Sequence, residues 1–364
     1  MGLPRIFWLT GILVLLGIQS PDVGACSSFS LPQSTFTGRN FDWHVGHGQI
    51  LVNKRNTKKK SLRMFDTDQS VDWVARLGSV TFNQIALDHP ASGMNEAGLT
   101  VVACQNFGEG NSKATQRPTL NEYQWVQYQL DNYSTVKEVI EHMNDIGISS
   151  LLQELHYLVC DASKECAALE VSIAQHQLKV FSGEDFRIQA LTDTSYLEAM
   201  KKFLSYESSG APKLQIDPFD SSDRFLYLAI KLSAVRALSC GPCSFESVFC
   251  LLAAVKQPGF TQWQIAFDSG TKKIQYKTES TTGIGYLDLA AFDFSSDTIV
   301  QAVDIHEYIK NSPKSFHAMT HEDNVRLVDE SMSYLGSVLP VGGDLKLKSY
   351  PVVLDTAVIH RVQW

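Results

Sequence analysis

The residue with the plainest chemistry in this chain is Cys26, in the stretch Val23-Gly24-Ala25-Cys26-Ser27-Ser28-Phe29. A cut after Ala25 makes it the first residue of a processed chain, carrying a thiol and a free α-amine. The thiolate is the reactive form of cysteine, and an α-amine with an ordinary pKa near ~8 can take its proton close to neutrality. Nucleophile and base then share one residue, a pairing suited to attack on an acyl carbon and to holding the acyl group as a thioester.

That chemistry needs the cut. Met1 to Ala25 reads as a secretory signal: Arg5 and the amino terminus are positive, Ile6 to Ile18 form an apolar core of about a dozen residues, and Val23 and Ala25 are the small residues before a cleavage site. The core is shorter than the ~20 residues that span a bilayer, so the expected location is secreted or periplasmic. Val23-Gly24-Ala25-Cys26 also loosely resembles a lipoprotein box, which would lipidate Cys26. The polar Gln19-Ser20-Pro21-Asp22 favours ordinary cleavage. The two readings exclude each other, because an acylated amine is no base.

Downstream, Cys26 to Leu31 and Phe36 to Trp43 are extended patterns around the turn cluster Pro32-Gln33-Ser34-Thr35. A hairpin centred between Gln33 and Ser34 sets Cys26 opposite Phe41, with Asp42 adjacent, so a carboxylate is expected near the new amine, where it would stabilise the protonated form. Arg39 and Asp42 are three apart and point to opposite faces of an ideal strand. One of them needs a long reach or a twist to meet Cys26.

The composition suits a large folded core, with 44% hydrophobic and 19% charged residues; 39 acidic against 31 basic side chains give a net charge of -8, which weighs against a nucleic-acid partner. The histidines, His44 and His47 included, show no metal-ligand spacing, and no phosphate-binding glycine loop is present. Neither a metal nor a cofactor is expected. His44 and His47 read as surface or supporting groups beside the hairpin.

With Ala25-Cys26-Ser27-Ser28-Phe29 and Gly38-Arg39-Asn40-Phe41-Asp42-Trp43 in view, the chain resembles the choloylglycine hydrolase and penicillin V acylase family of linear amide C–N hydrolases. The resemblance continues through Gly93-Met94-Asn95-Glu96-Ala97-Gly98-Leu99, Asn106, Leu191-Thr192-Asp193, Ser222-Asp223-Arg224-Phe225 and Thr261-Gln262-Trp263. It implies an N-terminal-nucleophile hydrolase with a four-layer α-β-β-α sandwich of the α+β class. It further implies Cys26 as nucleophile with its own amine as base, Arg39, Asp42 and Arg224 clustered beside it, and the Asn106 backbone N–H on the oxyanion. Asp193 stands where the family usually has Asn, a side-chain oxyanion donor. An ionised carboxylate can only accept there. Either Thr192 or Thr194 donates through its backbone, or a protonated Asp193 donates as neutral acids do elsewhere, or the activity is changed. The expectation is a working amidase with an acid-shifted optimum. The substrates that the resemblance implies are small acyl amides such as conjugated bile acids, phenoxyacetyl penicillins or acyl homoserine lactones. An acyltransferase on the same scaffold and a silent surface lipoprotein are the other readings.

The rest of the chain reads as scaffold. Strands are expected at Ile50 to Asn53, Ser79 to Ile85, Thr100 to Cys104, Leu155 to Cys160, Cys166 to Ile173, Gln262 to Phe267 and Lys273 to Lys277. Helices are expected at Leu120 to Asn132, Thr135 to Asn144 with Ser134 or Thr135 as cap, Ser195 to Phe203, Phe225 to Leu238, Ser247 to Val255 and Asp323 to Leu335. Layered α+β suits this order better than a wound parallel sheet. Residues 26–364 form one expected domain, with about 300–364 as an appendage packed on the core. The basic run Lys54 to Lys60 reads as a solvated hairpin tip. Cys104 shares a face with Asn106 and is either a core thiol or a group near the site, with packing preferred. Cys160 and Cys166 can bridge their tight connection. Cys240-Gly241-Pro242-Cys243 matches a thiol-exchange motif but follows an apolar helix rather than a strand, which favours a structural bridge. The polar stretch Ser205 to Ser222 is too short for the long exchanging hairpin through which family members often form tetramers, so a monomer or dimer is expected.

Overall fold

Ser27–Ser30 and Phe36–Asp42 form the antiparallel hairpin, with Ser27 opposite Asn40 and Ser28 opposite Arg39, the register of a turn centred between Gln33 and Ser34. In the computed structural model, which describes residues 26–63, 69–107, 117–150, 152, 154–172, 177–210, 214–238, 243–295, 299–311, 316–335 and 346–348, this hairpin lies inside a six-stranded sheet. Its order is Ala190–Leu191, Ser27–Ser30, Phe36–Asp42, Thr261–Asp268, Lys273–Thr278, Gly285–Asp288. A second sheet of nine strands runs Gln177–Ser182, Cys166–Ser172, Leu155–Cys160, Thr100–Gln105, Pro90–Asn95, Ser79–Asn83, Gln49–Asn53, Gln301–Asp304, His317–Ala318.

The strands carry nearly continuous buried residues because both faces of each sheet are covered. Between the sheets, Phe82 meets Phe267 and Tyr276 edge-on at 6.1 and 5.5 Å. Helix Glu122–Asn132 covers the larger sheet, where Trp125 packs on Tyr157 at 4.2 Å and the Tyr157 hydroxyl donates to the Glu122 carbonyl. Helix Phe245–Ala254 covers the smaller one. It approaches so closely that a Cβ on Gly38 would lie 2.6 Å from Val248 and 2.9 Å from Phe29. Helices Tyr196–Ser208 and Ser221–Leu238 pack on each other, and the latter on strands Ser27–Ser30 and Ala190–Leu191. The layer order is helix, sheet, sheet, helix, the expected α-β-β-α sandwich. The second helix of the outer pair, Val136–His142, starts with Thr135 and Glu138 in a reciprocal capping box.

Three expectations need correcting or completing. Part of the C-terminal region is built into the sheet rather than appended to it: Gln301–Asp304 pairs with Gln49–Asn53, with Ala302 and Val303 buried. The basic run is not wholly solvated. Strand alternation leaves Lys58 and Lys60 exposed but turns Lys59 inward, where its Nζ lies 2.8 Å from Asp88 and 3.1 Å from Asp131, and Lys54 bonds the Asp293 carbonyl. Among the cysteines, Cys160 and Cys166 form a disulfide, while Cys243 and Cys250 carry free thiols. Residues 1–25, Cys240-Gly241-Pro242 and residues 349–364 lie outside the described residues. Among the described residues, no helix is long and apolar enough to cross a membrane.

Candidate active site

Cys26 sits one residue before the first strand, at the end of the hairpin, and is buried. Asp193 and Arg224 are delivered by two connections. Ala190–Leu191 pairs with the first strand, Leu191 opposite Ser28, and leads straight into Asp193. The turn at 192–194 is tied to the start of helix Ser221–Leu238: Thr192 Oγ1 donates to the Ser221 carbonyl at 3.0 Å, and the Thr194 N–H donates to Ser221 Oγ at 2.9 Å. Arg224, one turn into that helix, therefore faces Asp193.

The resulting contacts are close. The Cys26 main-chain nitrogen, a peptide nitrogen in the uncut chain and the α-amine after a cut at Ala25, donates to Asp193 Oδ1 at 2.7 Å. Arg224 Nη2 donates to Asp193 Oδ2 at 2.5 Å, its Nε to the Ser27 hydroxyl at 3.1 Å and its Nη1 to the Pro218 carbonyl at 2.8 Å. Arg39 Nη2 lies 3.5 Å from Cys26 Sγ, and its Nη1 donates to the Ala91 carbonyl. The Arg39 guanidinium also sits 5.0 Å above the Phe41 ring. Its Nε is buried without a partner.

The strand geometry that kept Arg39 and Asp42 apart is resolved by different atoms. Arg39 reaches the thiol through its side chain, Asp42 through its backbone N–H. The Asp42 carboxylate turns to Thr261 Oγ1 and to Gln257 Nε2, the latter at 2.8 Å. It is Asp193, not Asp42, that takes the Cys26 nitrogen. Thr261 stands across the strand pair from Asp42, beside a bulge before Trp263.

Electrostatics favour a thiolate. A hydrogen bond from Cys104 draws the Cys26 thiol well below its usual range, with the Arg39 charge and the Asp42 N–H acting in the same sense against the opposing effect of burial. Burial pushes the Cys104 thiol well up, so Cys104 is the donor of the pair, and Ser28 Oγ lies 3.3 Å from its sulfur. Burial, with the Cys26 charge, pushes Asp42 up to about 7. Burial also pushes Asp193 up, with Arg224 and the Cys26 nitrogen pulling the other way.

Two roles expected of the oxyanion hole are not what the geometry provides. The Asn106 N–H donates to the Glu154 carbonyl at 2.9 Å, because the chain continues in sheet-like pairing past the strand end. Asp193 accepts on both oxygens, from the Cys26 nitrogen and from Arg224, and as a carboxylate in that ion pair it has no donor to offer. Its carbonyl takes the Phe107 N–H at 2.8 Å, which joins the Asn106 turn to the Asp193 turn. Cys104, preferred as a packing residue, touches the nucleophile instead. Its shared face with Asn106 was the available signal. Gln257 carried none, since its role depends on a strand 215 residues away.

A narrow, partly open cleft begins at Cys26 and Arg39 and is walled by Phe41, Trp43, Ile85 and Tyr123, among others. His89 also lines it, but bonds the Leu87 carbonyl through Nδ1 and Asn121 through Nε2, and burial holds it down at about 4. It is a neutral wall residue. Of the other sequence candidates, His44 packs edge-on against Phe260 at 4.7 Å, and His47 bonds Ser331.

Fold and cleft together set a buried cysteine, at a strand start, beneath an opening walled by aromatic and aliphatic side chains. Residues 26–217 match the family of linear amide C–N hydrolases, choloylglycine hydrolase family, and the chain belongs to it. It acts on linear amide bonds. Among solved structures, it is similar to penicillin V acylase from Agrobacterium tumefaciens, at 22% identity over 81% of this chain and 98% of that one, with a TM-score of 0.63. It is also similar to a mutant form of conjugated bile acid hydrolase from Clostridium perfringens, at 17% identity over 76% of this chain and 96% of that one, with a TM-score of 0.64. No curated protein sequence matches it.

Proposed function

We propose that this protein is a secreted or periplasmic cysteine amidase, and that Cys26, freed by removal of residues 1–25, is its nucleophile. The observation that carries this reading is the Cys26 residue itself: its sulfur faces Arg39 at the base of an apolar cleft while its nitrogen is held by Asp193. The free α-amine takes the thiol proton, and Asp193 holds the ammonium that results. The thiolate adds to the amide carbon, and the developing oxyanion faces the Arg39 guanidinium, whose unpartnered Nε is a buried donor that needs an acceptor. The ammonium of Cys26 then protonates the leaving nitrogen. Water, deprotonated by the same amine, cleaves the thioester and releases the acid.

The aromatic and aliphatic walls suit an apolar acyl group on a small amide, with bile-salt, penicillin and acyl homoserine lactone conjugates as the classes to assay. Lowering of the Cys26 thiol favours the thiolate, and the expected optimum is on the acid side of neutrality. The protein works as a monomer or dimer, which light scattering at micromolar concentration checks.

The test of the nucleophile is direct. Mass spectrometry of the mature chain should find a free amine on Cys26, and Cys26→Ala should abolish turnover of every acyl amide that the wild type cleaves. One extra residue left before Cys26 should do the same. A diacylglyceryl group on Cys26, or turnover in both variants, would overturn the proposal.

A further inference from the structure

The loop 84–89 supplies Gln84, Ile85 and His89 to the cleft. Its C-terminal half is fixed locally. Asp88, at a left-handed φ of 57°, meets Lys59, and His89 is pinned between Leu87 and Asn121. The other half hangs on a distant element. The Leu87 N–H donates to Asn324 Oδ1 at 2.7 Å, and Ser331 Oγ donates to the Gln84 carbonyl at 2.9 Å. Both residues lie on helix His321–Leu335, and both are buried.

We infer that this C-terminal helix, through Asn324 and Ser331, sets the wall of the acyl cleft and thereby the length and shape of acyl group it accepts. The helix lies beyond the family match, which ends at residue 217. Each anchor is itself held. Asn324 Nδ2 donates to the Leu347 carbonyl at 3.0 Å. Ser331 spends its single proton on Gln84, so its oxygen must accept from His47 Nε2 at 2.9 Å, which fixes the histidine tautomer. Burial keeps His47 at about 4 and hence neutral. On the far side, Gln84 Nε2 donates to the Val45 carbonyl at 2.8 Å. The loop is thus clamped from two sides by groups that touch neither Cys26 nor a substrate. Asn324 and Ser331 are positioning residues. A main-chain N–H and a carbonyl in a buried loop require partners, and here the helix provides them.

The acyl part of this inference rests on the amidase reading, so the experiment has an arm independent of turnover. Hydrogen exchange in the full chain should rise about tenfold for the amides of residues 84–89 in Asn324→Ala and in Ser331→Ala, with the strand Thr100–Gln105 unchanged. Asn324→Asp keeps the acceptor for Leu87 and should restore protection there. Across acyl amides of increasing length, Ser331→Ala should raise KM for the longest roughly three- to tenfold, the worth of one hydrogen bond. Its kcat, and the rate at which iodoacetamide alkylates Cys26, should stay within about twofold. Unchanged exchange at 84–89 in a folded variant overturns the clamp. Increased exchange with a flat KM profile overturns its role in acyl selection. If the Asn324 variants do not fold, Ser331→Ala decides alone. Absence of turnover in the wild type would strike the amidase reading while leaving the exchange result to stand.

Discussion

Cys26 and Asp193, separated by 167 positions in sequence, meet at 2.7 Å through the main-chain nitrogen of one and the carboxylate of the other. If the proposed cut frees Cys26, a carboxylate there would hold its ammonium, and Arg224 on the second oxygen fixes the carboxylate's orientation. Where the resemblance implies a donor, the structure has an acceptor bonded to the Cys26 nitrogen, which on the proposed reading becomes the amine. Asp193→Asn should therefore lose activity at neutral pH, not gain it. One charge-assisted hydrogen bond is worth about 1.5–3 kcal/mol, so the expected loss in kcat/KM is on the order of ten- to a hundredfold. A pH–rate comparison of the two proteins decides it, and a faster Asn variant would return Asp193 to the oxyanion.

How much of this was legible in the chain depends on range. The hairpin register followed from one turn cluster and many strands and helices from periodicity, because both are set by neighbours a few residues away. The ends of Tyr196–Ser208 and Ser221–Leu238 did not, and Pro90–Asn95, Gln177–Ser182, Gly285–Asp288 and Ile305–Asn311 were missed. The disulfide across Asp161 to Glu165 was legible for the same reason. Arg39, Asp42, Asp193 and Arg224 were found through the family pattern, yet which atom of each faces Cys26 was not, since strand alternation cannot say that Asp42 arrives by its backbone. Lys59 was misread with its run because a letter pattern does not show the two carboxylates waiting at Asp88 and Asp131. Asn324 and Ser331 had no signal at all. Their role exists only where the helix meets the loop.

Cys104 should tune the nucleophile. Its thiol donates to Cys26 and lowers it, so Cys104→Val should shift the pH profile of Cys26 alkylation by iodoacetamide to higher pH and slow turnover below neutrality. At alkaline pH, where the thiolate forms without help, the two proteins should converge. An unmoved alkylation profile would reduce Cys104 to a packing residue.

Lys59 is the sole cation in contact with Asp88 and Asp131 among the described ion pairs, and Trp73 Nε1 completes the cluster at 2.8 Å from Asp131. Removing one partner of a buried ion pair typically costs about 3–5 kcal/mol. Lys59→Met should destabilise the fold by that order in urea, far more than Lys58→Met or Lys60→Met at the exposed neighbours. Equal effects at all three positions would mean that the run is solvated after all.

Asp42 couples the site to stability. Asp42 has a folded-state pKa of about 7 against an ordinary value of 3.8, raised by burial and by the Cys26 charge. Between about pH 4 and pH 7 the folded protein holds a proton on Asp42 that the unfolded chain has lost. Stability therefore falls as pH rises through that window, because folding favours the side that binds more protons. The contribution is fully present below about pH 4 and gone above about pH 7. A shift of this size corresponds to at most about 4 kcal/mol at ~1.4 kcal/mol per pKa unit. Asp42→Asn cannot ionise, so its urea stability should decline less than that of the wild type between pH 4.5 and pH 8, and it should be the more stable protein at pH 8. It should also be the less active one, since an amide cannot accept from both Gln257 and Thr261 with two oxygens as the carboxylate does. Parallel stability curves for the two proteins across that range would show that Asp42 is ionised throughout and that its burial is fully offset by Thr261 and Gln257.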